Sequence, residues 1–163
     1  MIKEQQKVYK IALVGPPNSY KTSLILLALG NEESIKNKPT TYILNMGNNV
    51  IFEVTDFPSY KEKNVELQKN KSDFDGAILV SRKGINVDVY QEAYFNKQIE
   101  FVVVKPYTKF DAWIYHDLHV RDFEERWIGI HMDANVTVDD GLVPFKRLLS
   151  FMEKENITET MDV

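Results

Sequence analysis

The residues that could do chemistry begin with a lysine and a threonine behind a glycine-led loop. The segment GPPNSYKT, residues 15–22, follows the apolar run 8–14 and precedes a leucine-rich stretch that Gly30 closes. A strand, a glycine-led loop and a helix together offer backbone N–H groups and a helix N-terminus to an anion. In such a loop the lysine reaches the terminal phosphates and the next hydroxyl holds Mg²⁺. The predicted phosphate-binding residues are Gly15, Asn18, Ser19, Tyr20, Lys21 and Thr22.

The residue before the lysine departs from the pattern G-x-x-x-x-G-K-[ST]. Glycine stands there because it accepts a positive φ and lets the backbone approach phosphate. Tyr20 brings a Cβ and a ring, and a positive φ is an outlier for a bulky residue. Either the loop takes another path, or phosphate affinity falls, or the ring occupies the phosphate space. An ordinary βα unit without a ligand is the alternative interpretation.

The composition is that of a folded, mildly acidic chain. Of its 163 residues, 44% are hydrophobic and 12% are aromatic, which is too rich for a disordered protein. A net charge of −4 argues against a general nucleic-acid binder, so we expect no nucleic acid as a partner. The chain has no cysteine, which excludes disulfides, zinc–thiolate sites and prenylation. We expect one domain over residues 1–163, with 1–7 and 156–163 flexible.

The beginning of the chain and its apolar runs bear on location. MIKEQQK has no apolar signal core and no glycine for myristoylation, and no run approaches membrane-spanning length. We therefore expect a soluble cytoplasmic protein without a lipid anchor.

Apolar runs and turn residues predict strands that alternate with helices. Because the strand runs are continuously apolar, they favour an α/β fold of three layers, with a mostly parallel sheet of about six strands and helices on both faces. The predicted strands are 8–14, 42–46, 50–57, 74–80, 99–104 and 127–131, with a hairpin turn at 47–49. The predicted helices follow residue 20 and cover 59–71, 87–98, 113–126 and 139–154.

Two oxygen-bearing residues near the second and third strands could serve a metal. Asp56 ends the third strand, where a carboxylate can hold Mg²⁺ directly or through water. Taken alone, it could equally cap the next helix. Thr40 follows the polar segment 31–39, from which its hydroxyl could close on Mg²⁺ beside a γ-phosphate. Taken alone, Thr40 is a turn residue. The predicted metal ligands are Thr22, Thr40 and Asp56.

The segments after the last two strands could read a base. In TKFD, residues 108–111, a carboxylate can accept two hydrogen bonds from guanine while a lysine stem packs on the ring. The alternative is a loop that enters a helix capped by Asp111. After residue 131, a backbone N–H near Ala134 could meet a base edge. The predicted guanine-binding residues are Thr108, Lys109, Asp111 and Ala134.

The order of these motifs resembles the Ras/Rab-type small GTPase domain over essentially the whole chain. GPPNSYKT resembles the phosphate loop, Pro39-Thr40 the first switch, and TKFD the [NT]-K-x-D guanine motif. FDGAILV is similar to the family's fourth-strand sequence, and 133–135 stands where the family has Ser-Ala-Lys. The resemblance implies a Ras-like G domain that binds GDP or GTP with Mg²⁺ and contacts protein partners through the switch-like regions 31–41 and 57–71.

The departures from that family pattern concentrate at the γ-phosphate. Tyr20 and Ser59 replace glycines, and Tyr60 stands where the family has the glutamine that orients the attacking water. The segment 105–107 is an insertion before TKFD. These features imply a slow or non-hydrolysing switch that binds GDP better than GTP. The alternatives are a pseudo-GTPase scaffold without nucleotide and, more weakly, a P-loop kinase or ATPase.

Overall fold

The computed structural model describes residues 5–30, 40–58, 73–82, 85–107, 120–132 and 136–161. The strands are β1 Lys7–Val14, β2 Thr40–Gly47, β3 Val50–Asp56, β4 Gly76–Val80, β5 Glu100–Tyr107, β6 Val120–Glu124 and β7 Trp127–His131. The helices are α1 Lys21–Leu29, α2 Val87–Tyr94 and α3 Val138–Met161.

All seven strands form one sheet in the order β2-β3-β1-β4-β5-β7-β6. The four inner pairings, β3 with β1, β1 with β4, β4 with β5, and β5 with β7, are parallel. The two outer strands, β2 and β6, run antiparallel to their neighbours. The expected mostly parallel α/β sheet is therefore confirmed, and β1 lies inside it between β3 and β4.

Both faces of the sheet are covered, which explains why its central strands are continuously apolar. In β1, Ile11 and Leu13 belong to the core beneath α1 and α3, whereas Ala12 and Val14 belong to the core beneath α2. All four are fully buried, as expected of a strand enclosed by helices on both faces. The apolar residues Phe145, Leu148 and Met152 recur along one face of α3, and Phe145 and Leu148 are completely buried.

Local turn chemistry sets the ends of α1 and of the β2–β3 hairpin. Gly30 adopts φ 76° after α1, and its N–H donates to the Leu26 and Leu27 carbonyl oxygens. In the hairpin, Asn48 and Asn49 both have positive φ values of 53° and 62°. A two-residue turn with two positive φ values matches the twist of antiparallel strands, so both predicted turns are confirmed.

The helix predicted over 113–126 is wrong where the structure describes it. Residues Val120–Glu124 form β6, which pairs antiparallel with β7 from Val120 opposite Ile130. The spacing of the apolar residues Val120 and Phe123 does not by itself distinguish a helix from a strand. A strand forms because a short turn brings residues 120–124 beside β7, which provides the backbone hydrogen-bonding partner. The sheet therefore has a seventh strand at its edge.

The fifth strand continues past the predicted stop at residues 105–106. Pro106 lies inside β5, opposite Ile130 of β7. Ser81 N donates to the Val104 carbonyl, so residue 104 faces β4, and alternation turns residue 106 to the same side. The pairing with β4 ends at Val104. Pro106 has no N–H, and the side of β5 to which that N–H would point is the β4 side, where no described strand pairs with residue 106.

Two helices end at other residues than the sequence predicts, and one strand begins one residue earlier. α2 ends at Tyr94, not at 98, and α3 continues through residues 155–161, beyond its predicted end at 154. That stretch contains no glycine or proline to stop a helix. Lys7, the last residue of the segment 1–7, is already the first residue of β1. Within the described ranges, no helix is long and apolar enough to cross a membrane.

Arg126 fastens the β6–β7 turn to the rest of the fold. Its guanidinium donates to the Phe101 carbonyl at 3.0 Å and pairs with Glu100 at 2.7 Å. It also lies 4.3 Å from the centroid of the Phe151 ring of α3. A planar, delocalised cation suits this combination of bidentate and stacking contacts better than an ammonium group does.

We expect Arg126→Met to lower the free energy of unfolding by about 2 kcal/mol, because a charge-assisted hydrogen bond and two ring contacts are lost. Arg126→Lys keeps the charge and should recover less than half of that loss, since it lacks the planar fork. Urea denaturation measures both values. Equal stability of the lysine variant and the wild type would contradict a role for the planar group.

Candidate functional site

The loop after β1 lies where the parallel strands place their carboxyl ends together. β1 ends at Val14 and α1 begins at Lys21, with the loop between them. A Cβ on Gly15 would overlap the Val80 carbonyl oxygen at the end of β4 and come within 3.2 Å of Ser19 Oγ. Gly15 is therefore required because the β4 backbone passes directly against the loop.

Tyr20 adopts the conformation that the phosphate-loop pattern assigns to glycine. Its φ and ψ are 62° and 25°, in the left-handed region, and it is the N-cap residue of α1. Its side chain makes no capping hydrogen bond, and its ring is 36% exposed. The backbone at Tyr20 therefore has the positive φ that a glycine would accept without strain at this position.

Ser19 places a buried hydroxyl inside this loop. The residue is 3% exposed, and its Oγ has no hydrogen-bond partner among the described residues. A buried polar atom without a partner is costly and calls for an explanation, such as a ligand. A Cβ built on Gly15 would lie 3.2 Å from this Oγ, so the hydroxyl lies beside Gly15 within the loop.

Lys21, Thr22 and Asp56 meet beneath the loop. Lys21 Nζ donates to Asp56 Oδ1 and, at 2.5 Å, to the Phe57 carbonyl oxygen. Thr22 Oγ1 donates to Asp56 Oδ2 at 2.7 Å. Lys21 and Asp56 are 5% and 6% exposed, so both charges are compensated inside the protein. The structure thus brings together the predicted lysine and two of the three predicted metal ligands.

Thr40, the third predicted metal ligand, lies beside this group along the backbone. It begins β2 and stands opposite Asp56 in the β2–β3 register. The hairpin therefore brings the threonine and the aspartate to one end of the sheet, although 31–39 and the later switch residues 59–71 lie outside the described ranges.

No protein-family model matches the sequence, and no curated protein matches it significantly. Solved structures do match the fold. Aquifex aeolicus Era bound to GDP and AlF₄⁻ aligns with 16% identity and a TM-score of 0.50, over 78% of this chain and 52% of the Era chain. T. brucei IFT22 bound to GDP aligns with 10% identity and a TM-score of 0.55, over 86% of this chain and 98% of the other. The chain has the fold of a divergent small GTPase.

A third match shows how much of a larger protein this fold can represent. Bacterial EF-Sec, a selenocysteine-specific elongation factor, aligns with 15% identity and a TM-score of 0.56. The alignment covers 89% of this chain but only 29% of EF-Sec. The chain thus spans about half of Era, less than a third of EF-Sec and nearly all of IFT22. The likeness at these identities concerns the G-domain fold.

The four residues predicted to bind guanine lie outside the described ranges of this GTPase-like domain. The strands that lead to them are described. Tyr107 and His131 end β5 and β7, stand opposite each other in register, and stack with ring centroids 5.1 Å apart. The segments that carry Asp111 and Ala134 therefore leave the sheet from adjacent points.

Sequence reasoning missed two features at the carboxyl ends of the strands. His131 is 6% exposed, and neither ring nitrogen has a hydrogen-bond partner in the described part of the chain. Arg82, two residues beyond β4, places its guanidinium 5.3 Å from the centroid of the Tyr20 ring. The only feature of the sequence that points to these two residues is their position, since each lies at or just after the carboxyl end of a buried strand.

The donor set of the G domain suits Mg²⁺ better than zinc. Asp56 and Thr22 offer a carboxylate and a hydroxyl, and Mg²⁺ with phosphate typically uses one or two protein carboxylates. Across the described ranges, no cluster of three or more His, Asp or Glu side chains could hold a metal ion.

We expect Asp56→Ala to lower the free energy of unfolding without nucleotide by about 3 kcal/mol, because it leaves the Lys21 charge buried and unpaired. Urea denaturation in nucleotide-free buffer measures this loss. The double variant Lys21→Met with Asp56→Leu removes both charges and should lose less than Asp56→Ala does. A double variant that is less stable than the single one would show that the ion pair itself stabilises the fold.

Proposed function

We propose that this protein binds guanine nucleotide with Mg²⁺, prefers GDP to GTP, and acts as a slow or non-hydrolysing switch or adaptor. The observation that carries the proposal is the convergence of Lys21, Thr22 and Asp56 beneath the loop. A cation for phosphate and two oxygen donors for a metal stand together there, as phosphate loops require.

The residues present fit a phosphate group. The Ser19 hydroxyl is buried at the loop without a hydrogen-bond partner among the described residues, and the α1 N-terminus adds its N–H groups and positive dipole end. Thr22 and Asp56 would hold Mg²⁺, and Lys21 would contact phosphate. Mg²⁺ supplies charge neutralisation on the phosphate oxygens when it is bound. Guanine selection by Thr108, Lys109, Asp111 and Ala134 is part of this proposal.

The proposed preference for GDP follows from the γ-phosphate side. Lys21 is held by Asp56 and by the Phe57 carbonyl, so a terminal phosphate must displace existing contacts. The departures at Ser59 and Tyr60 remove the groups that the related family uses at the γ-phosphate. Slow turnover is expected for the same reason.

A second candidate function is a scaffold for protein partners without nucleotide. The observation that favours it is the mutual neutralisation of Lys21 and Asp56, which satisfies both buried charges without phosphate or metal. For both candidate functions, we propose that the protein contacts protein partners through regions 31–41 and 57–71. The absence of a nucleic-acid partner stays a prediction, since Era itself is solved with a segment of 16S ribosomal RNA.

A thermal-shift titration separates these candidates. In Mg²⁺ buffer, GDP at about a thousand times its Kd should stabilise the protein by about 4 kcal/mol and raise Tm by about 10 °C. Tyr20→Gly tests whether the ring blocks the loop. A shift only in that variant would support the scaffold, and a larger shift with ATP than with GDP would support the kinase or ATPase alternative.

Thr22→Val should abolish the Mg²⁺ dependence of GDP binding, because it removes the hydroxyl and keeps the side-chain shape. The matched control is Thr55→Val, which makes the same change next to Asp56, where the hydroxyl pairs only with Thr41 among the described residues. Isothermal titration with Mg²⁺ and with EDTA measures the dependence. Equal loss in both variants would contradict a metal role for Thr22.

Titration of GDP against a non-hydrolysable GTP analogue tests the preference. We expect GDP to bind about tenfold more tightly, which is the effect of one lost hydrogen bond at the γ-phosphate. ATP serves as the control for base selection. Tighter binding of the GTP analogue would overturn the proposed preference.

A further inference from the structure

An exposed arginine lies against the strained tyrosine of the phosphate loop. The Arg82 guanidinium is 5.3 Å from the centroid of the Tyr20 ring, within the range of a cation–π interaction. No carboxylate among the described residues forms an ion pair with Arg82. A cation therefore stands beside the loop with an aromatic face, and not an acid, as its described partner.

The conformation of Tyr20 directs attention to this pair. The residue holds a φ of 62°, which costs a bulky side chain conformational energy, and its ring remains partly exposed. Residues in such conformations persist where the surroundings hold them, and they cluster at functional sites. Arg82 is the described residue that contacts the ring. The tyrosine thus positions a positive charge that a glycine could not.

The sheet order tells which part of a nucleotide this charge would face. Asp56 is the last residue of β3 and Arg82 follows β4, and these two strands flank β1 on opposite sides. Asp56 and Thr22 mark the side of the metal and the terminal phosphates. Beyond β4 lie β5 and β7, which precede in the chain the residues proposed above to select guanine. Arg82 therefore stands on the nucleoside side of the loop.

We propose that Arg82 binds the α-phosphate of a nucleotide and that the Tyr20 ring is the residue that positions its guanidinium. This inference rests on the proposed function, since it assigns a further ligand at the same site. The buried Ser19 hydroxyl, unpartnered among the described residues, is the independent sign that this loop takes an anion. Arginine suits the role because its planar fork matches phosphate oxygens.

The test compares GMP, GDP and a non-hydrolysable GTP analogue on Arg82→Gln. All three share the α-phosphate, so all three should lose affinity by the same factor, about ten- to a hundredfold. Isothermal titration measures GDP and the analogue, and displacement of labelled GDP measures GMP. The charge-matched control is Lys97→Gln, an exposed lysine before β5 at the opposite end of the sheet, which should change affinity by about twofold or less.

Two substitutions at Tyr20 test the positioning role. Tyr20→Phe keeps the ring and should bind GDP like the wild type. Tyr20→Leu keeps the strained conformation but removes the ring, and it should reproduce most of the loss of Arg82→Gln. Combined with Arg82→Gln, Tyr20→Leu should cause no further loss, since the two residues act as one unit.

The outcomes separate the two levels of the proposal. If the wild type binds no nucleotide, both the proposed function and this inference are overturned. If the wild type binds GDP and Arg82→Gln binds it equally well, only the inference is overturned. A loss confined to the GTP analogue, or one that spares GMP, would place Arg82 at a later phosphate and would likewise overturn the α-phosphate assignment.

Discussion

The contact on which the site depends is the buried ion pair between Lys21 and Asp56. It joins the start of α1 to the end of β3, and Thr22 donates to the same carboxylate. Such pairs add little net stability, because desolvation of both charges offsets their attraction, but removal of one partner is costly. The pair therefore leaves both buried charges compensated within the protein itself. In the proposed function, a phosphate would replace Asp56 as the anion beside Lys21, and Mg²⁺ would replace Lys21 as the cation beside Asp56.

The parallel sheet makes this arrangement possible. β1 is covered on both faces and lies between β3 and β4. Because these three strands are parallel, the residues that follow them lie at the same end of the sheet. Gly15 lets the loop turn against the Val80 carbonyl, where a Cβ has no room. On one side of that loop stands Asp56, and on the other stands Arg82. The likeness to Era, EF-Sec and IFT22 concerns this fold.

Sequence reasoning succeeded where the deciding forces are local. Gly30 after a leucine-rich run and the Gly47-Asn48-Asn49 turn were predicted correctly, because positive φ values favour those residue types. It failed where a distant partner decides. Val120–Glu124 became a strand because β7 offers it a backbone ladder, and Pro106 stayed within β5 because β4 has already ended beside it. Neither partner can be read from the residues themselves.

The sequence by itself determined the described strands and helices other than β6, the phosphate-loop pattern, and Lys21, Thr22 and Asp56 as candidates, since residue type and periodicity report local preference and burial. Only the tertiary structure decided that Asp56 meets Lys21 across 35 positions of the chain, that Tyr20 keeps a left-handed backbone, and that Arg82 covers its ring. Those contacts arise because the carboxyl ends of parallel strands bring segments that are distant in the sequence to the same end of the sheet. Which segments meet there depends on the strand order of the whole sheet.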